Sequence, residues 1–561
     1  MKVLKSVLTA ALMAALFLLG NHVAAWVREG APKSVQGWID TPWLDELVER
    51  VSSAPLAVST VTIDLLIGAT AALLAGALIL AATVGKRPKR VGEEHGSARW
   101  GTRRDIAPFM DADPANRLIL THTENLSLDT HRTRRNLNVT VIGASGTGKT
   151  RGYMLPNIRA AQMSKVVTDP KGEIYRTTAD AMIEQGYSVR SFNLVDMRNS
   201  GHFNPLQYFM PGDVEAGIMR LAEAIISNTD PGALHGGGGK DPFWERAERA
   251  LLTALIGLAY SLPESEQPSL VDVLNLQKQM DGADGSYVDN LVAAARATVE
   301  EWKAGQRAVD ESEVEDMQVL DFACRQYRTY EQGEQKTRQS VLISTGVRLA
   351  PLDMASVRTI LSDDSMDLTG VGEEPTVVYV IVPDTHATFR FLAAMFWSTL
   401  FEVSLYQADH SPGGALPVPY HGFMDEIANI GKIPNFPALV AVIRSRGISV
   451  SMAYQSYSQG KALWDKEWDG ILGNCDSILF LGGNELQTNK WLSESLGSAT
   501  IQSDEISQSR GTSSSYSEAQ RLLKRELMKP DEIGTMSNDL CILMLRGLPP
   551  FRSKKATLDL S

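Results

Sequence analysis

The stretch from Gly143 to Thr150 fits the phosphate-loop pattern G-x-x-x-x-G-K-S/T. Its glycines let backbone N–H groups turn inward around a polyphosphate, Lys149 reaches the terminal phosphates, and Thr150 offers a hydroxyl to Mg²⁺. Taken alone, the motif indicates ATP or GTP with Mg²⁺, and a chance glycine-rich turn is the alternative. The predicted phosphate-binding residues are Gly143, Ala144, Ser145, Gly146, Thr147, Gly148, Lys149 and Thr150.

A second chemical motif is the pair Asp425-Glu426, which follows the apolar segment Gly422 to Met424. An apolar strand that ends in Asp-Glu is the expected companion of a phosphate loop. Asp425 then holds Mg²⁺ through water, and Glu426 activates the attacking water as general base. Such pairs are common by chance, so this prediction depends on the presence of Lys149.

Three further residues have spacing that suits nucleotide hydrolysis. Gln455 follows a predicted strand at 448–453, where it can sense the terminal phosphate, and a surface glutamine is the alternative. Arg444 and Arg446 precede that strand. In a ring, either could reach the nucleotide of the next subunit, although an isolated arginine is usually solvated or salt-bridged. We expect Arg444 to have the trans-acting role ahead of Arg446.

The elements that must position these groups follow an α/β pattern. Short β-branched runs predict buried strands, and polar residues follow several of them, among them the segment 169–173, which would face the nucleotide or a subunit boundary. The region from 212 to 365 is helix-rich and charged, so we predict an inserted all-α domain there. Predicted elements are strands at 138–142, 164–168, 188–194, 376–382, 448–453 and 541–547, the last being the final strand, a buried helix at 388–407 and a solvated helix face near 300–316.

Two uncharged runs, 7–26 and 65–84, are each long enough for one membrane-spanning helix. A cleavable signal peptide is the alternative for the first, and we favour an uncleaved anchor because a second apolar run follows. Basic residues at 2, 5 and 86–90 place both inward ends in the cytoplasm. Gly68, Ala72 and Gly76 recur four apart and would allow close helix packing. We expect Asp64 to be a hydrated residue at the membrane interface, and a functional intramembrane carboxylate is the alternative.

Composition limits the protein class. The chain has 561 residues, 44% hydrophobic and 21% charged, which is typical of a globular protein with several domain-sized parts. A net charge of −12 argues against a uniformly basic DNA-coating protein, so a nucleic-acid contact would need a local basic lining. The three cysteines are widely spaced, which favours reduced structural thiols over disulfides or a zinc site.

Several motifs together resemble the coupling proteins of bacterial type IV secretion systems, the TraG/TraD-like conjugation and secretion ATPases. The resemblance runs from about residue 95 to 550, and its combination of motifs is more specific than any one of them. The sequence departs from some relatives in lacking their long acidic C-terminal tail. This difference leaves the mode of cargo capture open. The matching segments are 96–100, the phosphate loop, 169–173, 204–206, 241–244, 425–434, 444–448, Gln455, 474–476 and 530–533.

The resemblance implies an inner-membrane, RecA-like P-loop ATPase of the α/β class that forms a homo-hexamer, uses ATP and Mg²⁺, and feeds substrates to a secretion channel. Its site residues would be Lys149, Thr150, Asp425, Glu426 and Gln455, with Arg444 as an arginine finger. Partners would be channel components, membrane lipid, and either relaxase with single-stranded DNA or effector proteins. The implied domains are a two-helix transmembrane anchor at 1–90, a nucleotide-binding domain at 91–211 and 366–561, and the inserted all-α domain at 212–365.

Two other functions stay open on the sequence. One is a membrane-docked cargo receptor in which ATP binding mainly gates assembly. The other is a DNA-segregation pump of similar ring architecture, which would lack the motifs at 96–100 and 169–173. The complete hydrolytic set, with a base at Glu426, favours the motor. The motifs do not separate DNA cargo from protein cargo, and the basic residues Arg132, Arg134 and Arg135 are a candidate DNA lining or an ordinary solvated turn.

Overall fold

The chain forms two compact units, each described by itself. A computed structural model describes residues 2–34, 36, 42–84, 93–229, 242–262, 267–280, 286–385, 387–509 and 515–557. The first unit comprises residues 1–95 with 502–522, and the second comprises residues 96–501 with 523–561.

Among its described residues, the first unit contains the helices α1 (Lys2–Glu29), α2 (Trp43–Ser53) and α3 (Thr62–Val84). Within α1 and α3, the segments Thr9–Glu29 and Thr62–Ile79 have mean hydropathies of 1.7 and 2.0 and are long enough to cross a membrane. By length and composition they fit the expected two-helix transmembrane anchor. The basic residues 86–90 used to orient it lie outside the described residues.

Helices α1 and α3 pack closely through small residues. A Cβ added to Gly68 would lie 2.7 Å from the carbonyl oxygen of Phe17, which confirms the expected close approach at that glycine. The expectation that Asp64 is hydrated is wrong. Its side chain is buried, and its Oδ2 accepts hydrogen bonds from Nη2 of Arg28 (3.0 Å) and Oγ of Ser59 (2.7 Å). Burial is tolerated because the carboxylate is paired.

The second unit is built on a nine-stranded sheet, and most of its predicted strands are confirmed to within one or two residues. The sequence did not predict four short strands, at 117–119, 125–127, 477–480 and 551–554, nor the long two-stranded sheet at 498–509 and 515–526, of which residues 502–522 belong to the first unit. In chain order the strands are β1 (Arg117–Ile119), β2 (Asn125–Ser127), β3 (Val139–Ile142), β4 (Ser164–Asp169), β5 (Ser188–Asn193), β6 (Thr376–Ile381), β7 (Tyr420–Met424), β8 (Ile448–Tyr454), β9 (Ser477–Phe480), β10 (Ser498–Ser509), β11 (Ser515–Glu526), β12 (Leu540–Leu545) and β13 (Phe551–Lys554).

The strand order across this sheet is β13-β12-β9-β3-β8-β7-β4-β6-β5. The strands from β9 to β5 pair in parallel, so their carboxyl ends lie along one edge, and β12 and β13 extend the sheet with antiparallel pairing. β3 lies between β8 and β9, and all four of its residues are buried, which explains its β-branched and mostly apolar sequence. The expectation that the segment at 541–547 is the last strand is wrong, because β13 follows and pairs with it.

Helices cover both faces of the sheet. Between Asn193 and Thr376 the described residues contain helices and no strand. The prediction of a single helix face near 300–316 is wrong, because one helix ends at Lys303 and the next begins at Val314. The helices are α4 (Arg103–Ile106), α5 (Thr130–Thr133), α6 (Leu155–Ala160), α7 (Glu173–Glu184), α8 (Val214–Asn228), α9 (Pro242–Ser261), α10 (Leu270–Met280), α11 (Ser286–Lys303), α12 (Val314–Glu331), α13 (Gln335–Leu349), α14 (Ala355–Leu361), α15 (Arg390–His410), α16 (Phe436–Val442), α17 (Tyr457–Trp464), α18 (Trp468–Gly473), α19 (Leu486–Leu496) and α20 (Pro530–Gly534).

One hydrophobic core joins the helices α8–α14 to a face of the sheet. Leu251 of α9 and Leu320 of α12 belong to the same buried cluster as Phe192 and Val378 of the sheet and Trp397 of α15. A second cluster fills the other face, under the β1–β2 hairpin and the helix that follows the phosphate loop. The helical insertion therefore packs directly on the sheet that carries the site residues.

Candidate nucleotide-binding site

The phosphate loop connects β3 to a helix at the carboxyl edge of the sheet. Its first residues are fixed by neighbouring strand ends: the Gly143 N–H donates to the Tyr454 carbonyl (3.0 Å) and the Ala144 N–H to the Gly482 carbonyl (3.0 Å). Gly146 and Gly148 have φ of 78° and 89°, a region that suits glycine, and a Cβ added to either would meet nothing within 4 Å. The loop thus leaves open space on the side where a phosphate group would bind.

Lys149 lies at the base of this loop with only 7% of its surface exposed. Its Nζ donates to the carbonyl of Gly143 at 2.8 Å and lies 3.4 Å from that of Ala144. Burial lowers the pKa of the ammonium, and the nearby carboxylates of Asp425 and Glu426 oppose that shift. The site therefore holds a cation in a partly desolvated position, where its attraction for an anion is strengthened.

Thr150 and Asp425 meet although 275 residues separate them in the chain. The hydroxyl of Thr150 donates to Oδ2 of Asp425 at 2.7 Å, because β3 and β7 lie on either side of β8 and end at the same edge. Asp425 is 3% exposed, burial raises its pKa to about 6, and its Oδ1 has no hydrogen-bond partner among the described residues. A hydroxyl and a spare carboxylate oxygen are hard donors that fit Mg²⁺.

Glu426 adopts a strained backbone conformation, with φ of 48° in the left-handed region. Its Oε2 accepts a hydrogen bond from Nδ2 of Asn429 at 2.9 Å, and Oδ1 of Asn429 accepts from Nη2 of Arg390 at 3.2 Å. Such backbone strain at a carboxylate is typical of functional positions, because the surrounding contacts must maintain it. Asn429 was not predicted, although its place three residues after Glu426 is a signal for this contact.

Gln455 follows the last residue of β8, beside the start of the phosphate loop. Tyr454 is the register partner of Ile142, so Gln455 and Gly143 are the next residues on adjacent strands. The Gln455 side chain is exposed, and its backbone N–H donates to Oε1 of Gln459 at 2.7 Å. The structure thus brings Gln455 to the edge that carries Lys149 and Asp425.

Arg444 is not brought to this edge. It precedes β8 and lies at the amino edge of the sheet, so the seven-residue strand places it roughly 20 Å from the loop of its own chain. Its Nη2 donates to the carbonyl of Thr130 at 3.1 Å, and the side chain is exposed. Arg446, in contrast, makes a bidentate ion pair with Asp409 at 2.8 and 3.0 Å. Of the two arginines, Arg444 therefore makes fewer described side-chain contacts within its own chain.

The C-terminal segment also contributes to the site, which sequence patterns did not indicate. Nζ of Lys555 donates to the carbonyl of Thr147 at 2.7 Å and to Oδ1 of Asn538 at 3.0 Å. A cavity of about 580 Å³ opens between this segment and the loop, with Arg151 and Glu173 in its lining. Lys555 and Thr147 are 408 residues apart in the chain, and no local motif links them. Folding of the sheet brings them into contact.

Asp169, the first residue of the polar segment 169–173, ends β4 next to β7. It is 1% exposed, and burial raises its pKa, while the N–H of Tyr175 donates to its Oδ2 at 2.8 Å. The segment thus begins at the same sheet edge as Asp425, and its facing a nucleotide or a subunit boundary stays a prediction. Of the three basic residues proposed as a DNA lining, two are engaged within the chain, since Arg132 pairs with Asp111 at 3.1 Å and Arg135 lies over the Phe109 ring, while Arg134 is exposed.

The motif at 474–476 lies at the opposite edge of the sheet. Oδ1 of Asn136 accepts a hydrogen bond from the N–H of Asp476, and the N–H of Asn136 donates to the Asp476 carboxylate at 2.6 Å. Oδ1 of Asn138 accepts from the Val450 N–H, and its Nδ2 donates to the carbonyl of Asn474. These residues hold the starts of β3, β8 and β9 in register, so their role is structural.

Comparison with known proteins gives a consistent family. The family described as Type IV secretory system Conjugative DNA transfer matches residues 116–558. The conjugal transfer protein TraG of Rhizobium radiobacter is 24% identical over 439 residues, which cover 74% of this chain and 61% of that protein. The conjugal transfer protein TraG of Escherichia coli is 23% identical over 470 residues, covering 78% and 70% respectively.

Solved structures show a similar fold. The plasmid coupling protein TrwB in complex with ADP and Mg²⁺ has a TM-score of 0.59 at 15% identity, covering 85% of this chain and 97% of that one. The same protein in complex with a non-hydrolysable ATP analogue gives a TM-score of 0.57, also at 15% identity, covering 85% and 96%. This likeness identifies the RecA-like fold with its helical insertion.

Proposed function

Because the chain belongs to the Type IV secretory system Conjugative DNA transfer family, we propose that it is a Mg²⁺-dependent ATPase of the bacterial inner membrane that drives substrates into a type IV secretion channel. The observation that carries the proposal is the 2.7 Å hydrogen bond between Thr150 and Asp425 beside the buried Lys149. The nucleotide complexes of TrwB support ATP and Mg²⁺ as the ligands.

Each residue of the site has a task in hydrolysis. The N–H groups of the loop and the ammonium of Lys149 bind the phosphates, and Thr150 and Asp425 hold Mg²⁺. When bound, Mg²⁺ supplies positive charge to the phosphate oxygens. Glu426 accepts the proton of the attacking water, and Gln455 detects the presence or loss of the terminal phosphate.

The position of Arg444 supports a ring. It lies at the amino edge of the sheet, away from the phosphate loop of its own chain, and its side chain is exposed. We propose that it reaches the nucleotide of a neighbouring subunit in a homo-hexamer and stabilises charge in the transition state. Each active site then combines one subunit's phosphate loop with the next subunit's arginine.

The inserted all-α domain, proposed at 212–365, would recruit cargo at the cytoplasmic mouth of the ring. The names of the relatives, conjugal transfer proteins, support relaxase bound to single-stranded DNA as that cargo, and effector proteins are the alternative. The helices α1 and α3 would anchor the ring in membrane lipid with residues 91–561 in the cytoplasm.

The proposal is tested with the full chain in nanodiscs. We expect ATP turnover that rises when single-stranded DNA is added, and turnover lost in Glu426→Gln without loss of nucleotide binding. Glu467→Gln, on an exposed carboxylate outside the site, is the matched control. The motor proposal fails if Glu426→Gln abolishes hydrolysis but leaves substrate transfer in cells intact, which would identify a cargo receptor. If ATP turnover does not change when DNA is added, and the chain pulls down proteins, effector proteins are identified as the cargo.

A further inference from the structure

The segment that follows Glu426 is held by a side chain of the helical insertion. Asn228, the last residue of α8, uses its amide to pair with the backbone of Lys432. Its Oδ1 accepts the Lys432 N–H at 2.6 Å, and its Nδ2 donates to the Lys432 carbonyl at 2.9 Å. Both backbone polar groups of one residue, Lys432, are therefore bonded by one side chain, as a neighbouring strand would do.

This contact needs a glycine at position 431. Gly431 has φ of 88°, and a Cβ added there would lie 2.4 Å from Oδ1 of Asn228. No other residue type fits both the backbone conformation and the approach of the amide. Two residues that are distant in the chain are thus matched to each other at this point.

Asn228 is itself fixed on the side of the insertion. Its Nδ2 also donates to the carbonyl of Ala224, one turn earlier in α8. The carbonyl of Ile226 accepts from Nη1 of Arg348 at 3.0 Å, and Arg348 forms a buried ion pair with Glu248 at 2.7 Å. Since the two ionic side chains are only 3% and 6% exposed, the end of α8 moves with α9 and α13.

On the other side, the held segment reaches Glu426 within a few residues. Asn429 binds the Glu426 carboxylate through its side chain, and its backbone N–H donates to the Glu426 carbonyl at 2.7 Å. Only Ile430 and Gly431 separate Asn429 from the residue that Asn228 holds. A displacement at Lys432 therefore passes along a short backbone to the group that orients Glu426.

We propose that Asn228 is a positioning residue for ATP hydrolysis, through which the inserted helices set the orientation of Glu426. The inference rests on the proposed function, since it takes Glu426 as the general base. It gives the insertion a direct mechanical connection to the catalytic edge. Cargo that shifts α8 would then change the rate of hydrolysis without touching the phosphate loop.

The test compares Asn228→Ala with Asn290→Ala, which changes an exposed asparagine of α11 in the same insertion. We expect kcat for ATP to fall about 10-fold in Asn228→Ala, because a misplaced catalytic group costs rate steeply. The Kd for a fluorescent ATP analogue should stay within about twofold of the original protein, because Lys149 and Thr150 keep their contacts. Asn290→Ala should leave both unchanged.

A second comparison separates positioning from general stability. Asn429→Ala should lower kcat as well, and adding Asn228→Ala to it should have less than the multiplied effect, because both changes release the same carboxylate. If Asn228→Ala does not fold, Asn228→Asp serves instead, since it keeps the acceptor for the Lys432 N–H and loses the donor to the carbonyl.

The inference is overturned if Asn228→Ala turns over ATP at the original rate. It is equally overturned if kcat, nucleotide affinity and Tm fall together, which a purely structural role predicts, or if the effects of the two asparagine changes simply multiply. A failure of the proposed function gives a different result. The original protein would then hydrolyse no ATP, or Glu426→Gln would hydrolyse ATP at the same rate as the original protein.

Discussion

The two edges of the central sheet are both rich in polar residues, but they use them differently. At the carboxyl edge, one oxygen of Asp425 has no hydrogen-bond partner in the described part of the chain, and Glu426 has a strained backbone. At the amino edge, Asn136, Asn138 and Asp476 bind one another and the surrounding backbone. A buried carboxylate with spare bonding capacity is costly, so its retention beside the phosphate loop supports a ligand site at the carboxyl edge.

This contrast also divides the motifs that the chain shares with its family. The Asp-Glu pair and the phosphate loop belong to the reactive edge, whereas the motif at 474–476 fixes the starts of three strands. Resemblance alone gave these motifs equal weight. For these motifs, the partnerless Asp425 oxygen and the fully paired Asn136–Asp476 contacts separate the candidate chemical groups from those that hold the sheet in register.

The largest effect is expected at the reactive edge. Lys149→Ala should lower ATP turnover about 1000-fold, because it removes the cation that binds the phosphates. Its Tm should stay equal or rise, because a desolvated charge is removed. Calorimetry and phosphate release measure the two quantities, with Lys461→Ala, an exposed lysine, as control. A clear loss of Tm would mean that Lys149 stabilises the fold, contrary to the comparison.

Arg444 is the exposed exception at the amino edge, and its replacement should come next in size. Arg444→Ala is expected to lower turnover about 100-fold, by loss of transition-state charge stabilisation, while Arg446→Ala leaves turnover near the original value. Mixing Arg444→Ala with Lys149→Ala subunits should restore activity above that of either alone, because mixed rings contain complete sites. Absence of such rescue, in rings shown to have mixed, would contradict a trans-acting arginine.

The structural side of the comparison is tested at Asn138, which is 1% exposed. Asn138→Ala should lower the free energy of unfolding by about 2 kcal/mol, because the Val450 N–H loses the Asn138 acceptor in the core and the Asn474 carbonyl keeps only the Asn136 donor. Denaturant unfolding measures this change. Turnover per folded molecule should remain near the original value, and a loss of activity with unchanged stability would reverse the assignment.

Lys165, near the amino edge, should give the smallest effect; its buried Nζ donates one hydrogen bond, to the Met163 carbonyl at 2.9 Å. Its side chain is fully buried over the Tyr187 ring, and burial lowers its pKa to about 7. Between pH 7 and about 10 the unfolded chain binds more protons at this residue, so its contribution to stability rises with pH in that window and is lowest below pH 7. Lys165→Met should remove about 1 kcal/mol per pH unit from that rise, measured by denaturant unfolding at pH 8 and 9.

An unchanged pH dependence in Lys165→Met would show that the ammonium stays charged in the fold. The neighbouring buried His421 does not complicate the measurement, because burial lowers its pKa to about 3 and it stays neutral throughout the window. Its ring nitrogens are both hydrogen-bonded, to Ser449 at 2.7 Å and to Ser451 at 2.6 Å. Both ring nitrogens of His421 therefore have hydrogen-bond partners, whereas the Lys165 ammonium makes one described hydrogen bond.

Local sequence patterns predicted those parts of the fold that depend on local physics. An apolar run followed by glycines predicted β3 and its loop, and Asp425-Glu426 after an apolar strand predicted the facing carboxylates. The contacts of Asn228 with Lys432 and of Lys555 with Thr147 were not predictable, because they depend on tertiary packing between segments with no shared motif. The strands β10 and β11 were missed because their sequence is polar and charged, without the alternation of a half-buried strand.

The position of β3 in the sheet has a consequence for biosynthesis. Both strands that bind β3, β8 and β9, lie roughly 300 residues later in the chain. At the usual translation rate of about 5 to 20 residues per second, the apolar strand and the phosphate loop wait about 15 to 60 seconds for their partners. The two apolar N-terminal helices emerge from the ribosome long before that. Chaperone protection of the nascent chain is therefore most needed while the insertion is being synthesised.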